Sequence, residues 1–123
     1  IAAQFERDPA RGLSAAELAE SLVPARSAVA LRARCWRTKI ALAQDRTDDA
    51  WGIAHAAHRD AELLGNGRIR GAAACDLATI AFARHRRADG ERYLREALPL
   101  LERYGTCISR ARVHAVARQA AVD

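Results

Sequence analysis

A chain that matches itself at a fixed displacement must fold in a way that uses the matching segment more than once. Displaced by 40 residues, ARCWRTKIALAQDRTDDAWGIAHAAHRDAELLG (33 to 65) falls on AACDLATIAFARHRRADGERYLREALPLLERYG (73 to 105) with ten identities. An Ala-rich composition supplies some of these for nothing, but Cys35/Cys75, Ile40/Ile80, Asp49/Asp89 and Gly65/Gly105 need another reason. Self-similarity at a period of about 20 to 50 residues marks supersecondary units that stack, because one unit cannot cover its own apolar face.

Each unit reads as two helices. In the first unit, Val29, Ala33, Trp36, Ile40 and Ala43 recur at steps of three and four and draw one stripe along a helix from about Arg26 to Gln44. The run DRTDD interrupts it, with Thr47 placed to cap the next helix and Asp48 and Asp49 in its first turn, where carboxylates suit the positive helix end. Ala50, Ile53, Ala54, Ala57, Ala61 and Leu64 form the inner face of that second helix, and Gly65 ends it as a left-handed C′ residue. The second unit follows the same plan over about 68 to 86 and 89 to 104, with Pro99 inside its second helix, where a lost backbone hydrogen bond should bend the rod. A further helix over about 107 to 121 closes the array. Upstream, Ser14 and Glu17 in LSAAELAESL have the spacing of a capping box and mark a helix start.

The expected fold is therefore all-α: antiparallel hairpins stacked side by side, about six helices in all, with N-terminal helices over 1–25 capping repeats at 26–65, 66–105 and 106–123. Only six of the 123 residues are aromatic, so close approach of helices at Ala41, Ala50, Ala57, Ala81, Gly90 and Ala97 must replace bulky side chains in the core. No apolar run approaches the roughly 18 residues of a membrane span. The absence of an initiator Met suggests a piece of a longer protein. Three cysteines cannot all pair within the chain, which favours reduced thiols and a cytoplasmic setting. The formal charge of +5 comes from 20 basic and 15 acidic residues spread along the whole chain, which argues against a dedicated nucleic-acid surface.

With its repeat laid out, ALRARCWRTKIALAQDRTDDAWGIAHAAHRDAELLG and ARHRRADGERYLREALPLLERYG resemble tetratricopeptide-type (TPR) repeats, in the longer form found in large bacterial transcriptional regulators of the LuxR and MalT kind. The resemblance covers residues 26 to 121, with the family's small positions at Ala50/Gly90 and Ala57/Ala97 and its hydrophobic pair at Leu77 and Ala81. It implies a short TPR-like solenoid that acts as a non-catalytic interaction or sensory module for a protein, a peptide or a small effector. It also implies a concave groove lined by the first helices, here Arg32, Cys35, Lys39, Leu42, Thr79, Phe82, Arg112 and Gln119. Three basic residues beside Leu42 and Phe82 suit an acidic, partly apolar peptide.

The principal alternative is a DNA-binding helix-turn-helix over residues 13–34, with Arg26, Ser27 and Arg32 at the major groove. Against it, Val23 and Pro24 stand where the turn usually has Gly, and the second helix runs on well beyond a recognition helix. His55 and His58 in HAAH are spaced to share a metal, but no ligand set completes them, and a solvated helix face is the simpler reading. His85 and His114 stand alone. Cys35, Cys75 and Cys107 have neither metal-site spacing nor a partnered His and read as small buried thiols. The segment GNGRIRG lacks the Lys and the preceding strand of a phosphate loop. No metal, no cofactor and no catalytic residue is expected.

Overall fold

The computed structural model describes residues 8–122, and 86% of these are helical, with no strand among them. The N-terminal expectation reaches into residues 1–7, which lie outside the described residues. The helices are α1 (Pro9–Leu22), α2 (Ala28–Ala43), α3 (Thr47–Leu64), α4 (Gly67–Ala83), α5 (Arg87–Tyr104) and α6 (Cys107–Val122). Each packs on the next in sequence, and α4 also touches both α2 and α6.

The same turn closes two hairpins forty residues apart. Between α2 and α3, Asp45 adopts φ +57°, and the Arg46 N–H donates to the Ala41 carbonyl at 2.8 Å. Between α4 and α5, His85 adopts φ +60°, and the Arg86 N–H donates to the Ala81 carbonyl at 2.8 Å. Asp and His are among the few non-glycine types that enter the left-handed region with any frequency. The helices that follow these turns start without a side-chain cap, so Thr47 is the first helical residue of α3 rather than its cap.

Side chains cap the other starts. Ser27, Asn66 and Thr106 each accept the N–H of the residue three further on, at the heads of α2, α4 and α6. Helix α2 thus begins two residues later than the apolar stripe suggests. The capping box at Ser14 does not form, because α1 already begins at Pro9 under an Asp8 cap, and the Ser14 hydroxyl donates back to the Ala10 carbonyl. Gly65 takes the left-handed conformation at φ +68°, whereas Gly105 is extended at φ −76°. Gly105 is needed for a different reason: a Cβ there would lie 2.4 Å from the Leu101 carbonyl oxygen. Pro99 stands on the exposed side of α5, which continues through it.

The core lies between the helices and is built from short side chains. Ala41, Ala50, Ala57, Ala81 and Ala97 are fully buried, with Leu31, Leu77, Ile80, Leu101 and Val113 filling the spaces among them. The two hairpins solve the same contact with different residues. In the first, Leu42 packs against the cluster of Ala41, Ala50 and Ile80. In the second, the larger Phe82 ring lies so close to Gly90 that a Cβ there would approach it to 2.8 Å. A bigger side chain on one helix is matched by a smaller one on the other. Gly90→Ala should therefore lower stability by about 1 kcal/mol, the crowding outweighing the helix propensity gained. Adding Phe82→Leu should restore it above wild type, with both changes read by urea denaturation.

Candidate ligand-binding face

Helix α4 packs against both α2 and α6, so side chains from the three helices can meet. Helix α4 itself carries Asp76, a fully buried acid in the run AAACDLATIAFA, whose only other polar side chain is Thr79. The Arg112 guanidinium of α6 reaches across and donates to its Oδ1. Its Oδ2 is buried with no hydrogen-bond partner. Burial is the largest influence on Arg112 and opposes its charge, but the charge of Asp76, its hydrogen bond and the neighbouring Cys75 and Cys35 together raise the Arg112 pKa.

Of the eight groove residues named from the sequence, four meet around this pair. Lys39, Arg32 and Arg112 all lie close enough for their charges to act on Cys35, as does the carboxylate of Asp76. Lys39 also sits over the Trp36 ring at 5.6 Å, a cation–π contact. Burial, reinforced by Asp76, pushes the Cys35 thiol up to about 11 against the lowering effect of the three cations. Burial likewise holds Cys75 at about 11, with Arg112 opposing and Asp76 assisting. Both thiols are protonated at neutral pH and are poor nucleophiles. Cys107 departs from the expectation of a buried thiol, because it begins α6 at the surface.

The other four residues have different roles. Leu42 and Phe82 are half-buried and pack within their hairpins. The Thr79 hydroxyl donates to the Cys75 carbonyl of its own helix at 2.9 Å. Gln119 is exposed near the end of α6. Asp76 and Trp36 were missed as site residues, although an acid alone in an apolar helical run is itself a legible signal.

The histidines are more engaged than a solvated face implies. His58 Nε2 lies 2.8 Å from Glu96, which also accepts from Arg70, and His55 Nε2 lies 3.3 Å from the Tyr93 hydroxyl. These contacts tie α3 and α4 to α5. Burial would raise the Glu96 pKa, but the hydrogen bonds from His58 and Arg70 prevail and lower it. His114 does not stand alone, since it lies 2.6 Å from Glu102. Among the described residues no group of three or more potential ligands is arranged to hold a metal ion.

The segment 13–34 forms most of α1, a turn and the start of α2. Arg34 locks it by bonding Asp60 at 2.6 Å, the Ala25 carbonyl at 2.6 Å and Glu20 at 3.4 Å. Of the three residues assigned to DNA, Ser27 is used as a cap and Arg26 lies 3.8 Å from Asp60. A separate recess of about 450 Å³ between α1 and α3, floored by Leu13, Gly52 and Ile53, is rimmed by charges that are mostly paired with protein partners. Among the described residues no helix is long and apolar enough to cross a membrane.

Comparison with protein-family models, with curated proteins and with solved structures found no match.

Asp76 and Arg112 form a pair whose separation would leave a carboxylate buried alone. Arg112→Ala should therefore cost about 3 kcal/mol, while Asp76→Ala added to it should recover most of the loss, because no unpaired charge then remains. Thermal or urea unfolding of the single and double variants measures both.

Proposed function

We propose that the chain is a non-catalytic, TPR-like helical-repeat module of a bacterial transcriptional regulator, acting in the cytoplasm, and that the face shared by α2, α4 and α6 binds an acidic, partly apolar peptide segment of a partner. The observation that carries this reading is the contact of α4 with both α2 and α6, together with the shared turn that closes the α2–α3 and α4–α5 hairpins and the basic groups gathered around Cys35. Arg112 is committed to Asp76, and this leaves Arg32 and Lys39 as the cations available to orient an acidic ligand, with the Trp36 ring beside Lys39 as an apolar surface. A carboxylate approaching this side meets positive charge before it meets the array, which speeds encounter and fixes direction more than it adds affinity. Buried Cys35 and Cys75 supply a small, uncharged floor rather than a reactive centre.

The test is an NMR titration with a synthetic decapeptide that alternates Glu with Leu and Phe. Amide shifts should cluster on α2, α4 and α6, and Arg32→Glu with Lys39→Glu should weaken binding by about tenfold, equivalent to about 1.4 kcal/mol. Shifts confined to the outer surfaces of α3 and α5, or affinity unchanged by the double reversal, would remove the reading.

A further inference from the structure

Charge that is spread along the sequence is gathered by the fold beside a cluster of rings. Helices α3 and α5 do not approach closely along their length, and side chains span the gap between them. His58 reaches Glu96 at 2.8 Å, and His55 Nε2 lies 3.3 Å from the Tyr93 hydroxyl. Both bridges join residues 38 positions apart, so the two helices run in the same direction at a fixed offset. Rings floor the groove between them. Tyr93 is buried, and Trp51 meets it edge-on with centroids 6.0 Å apart. His55 lies 5.7 Å from the Trp51 ring and 6.5 Å from the Tyr93 ring, and it is the exposed member of the three. Two aromatic neighbours and a hydroxyl thus hold this imidazole in place at the surface.

Arginines flank the rings. The Arg92 guanidinium lies over the Tyr93 ring at 4.7 Å. One turn further along each helix, four residues on from His55 and three on from Arg92, stand Arg59 and Arg95, both exposed. Among the described residues Arg95 has no ion pair, Arg92 meets Asp89 only at 3.8 Å, and Arg59 meets Asp60 only at 4.0 Å. Asp60 is already held by Arg34 at 2.6 Å, which leaves the charge of Arg59 in excess. The Glu96 carboxylate is taken up by Arg70 and His58. Glu62, two turns along α3 from His55, is the exposed acid that bounds the cationic stretch.

We propose that this surface binds single-stranded nucleic acid, with an unstacked base on the His55 ring and neighbouring phosphates against Arg92, Arg59 and Arg95. An exposed ring among cations suits this occupant, because every base offers a flat face and every linkage a negative charge. An acidic peptide brings the charge without the flat face, and a duplex keeps its bases stacked on one another. The surface is built wholly from α3 and α5, each of which packs between two other helices. It is independent of the peptide-binding reading, which concerns residues of α2, α4 and α6.

Fluorescence anisotropy on the intact chain tests this, with a labelled twelve-nucleotide oligothymidylate and its oligouridylate counterpart as probes. At least one should bind, with affinity that falls steeply as salt rises, and a difference between the two assigns the sugar that is preferred. Arg59→Glu with Arg95→Glu should weaken binding about tenfold or more. His55→Ala should weaken it about fivefold or more, the loss of one stacked base, and His55→Trp should restore it. All three positions are exposed, and circular dichroism establishes that the variants are folded. The proposal is overturned if neither probe binds at low salt, or if the arginine reversal or His55→Ala leaves affinity unchanged. It is equally overturned if His55→Trp binds as weakly as His55→Ala, or if a polyglutamate peptide binds as tightly as the oligonucleotides.

Discussion

Helices in this protein meet through side chains hardly larger than the backbone. Ala41, Ala50 and Ala57 in one hairpin, and Ala81, Gly90 and Ala97 in the next, are buried where axes approach. A chain with so few aromatic residues gains little from any single side chain, and its stability must come from many short contacts at small separation, each a weak dispersion attraction. Close approach is thus a requirement of the composition, and it fixes how one helix can sit on another. Where a large side chain does enter such a contact, as Phe82 does, the opposing residue shrinks to Gly90.

The layout of charge follows from that spacing. Helices that approach closely bring α4 against both α2 and α6, and Arg112 on α6 can then reach Asp76 on α4. The same spacing keeps Cys35 and Cys75 out of water and protonated. Elsewhere, long side chains bridge helices that short ones hold together. Arg34 joins α1, α2 and α3 through Glu20 and Asp60, and Glu96 joins α3, α4 and α5 through His58 and Arg70. These bridges set the register between helices whose small contact residues, being nearly featureless, specify it weakly.

Most of the helices were legible in the sequence, because apolar period and glycine position are local properties of the chain. The turns were less so. Asp45 and His85 hold the left-handed positions that close both hairpins, yet neither is the glycine or asparagine that usually marks them, and only their forty-residue separation links them. Gly65 and Gly105 look alike in the alignment but differ in backbone conformation, since one answers a torsional demand and the other a close carbonyl. The candidate site was legible in its cations, Arg32, Lys39 and Arg112, and in Cys35. Asp76 escaped because its importance comes from Arg112, which is distant in sequence, and the pairing of His58 and His114 escaped because their partners lie on neighbouring helices. Contacts between helices depend on how the rods are placed, and a single sequence encodes that placement diffusely.

The central claim is that small residues at the helix contacts set the architecture. The most direct measurement is the urea unfolding midpoint of Ala97→Leu, at a fully buried position in α5. The account predicts a loss of about 1 to 3 kcal/mol from overpacking, despite the added apolar surface. A midpoint that is unchanged or higher would mean that the helices have room between them, and would contradict it.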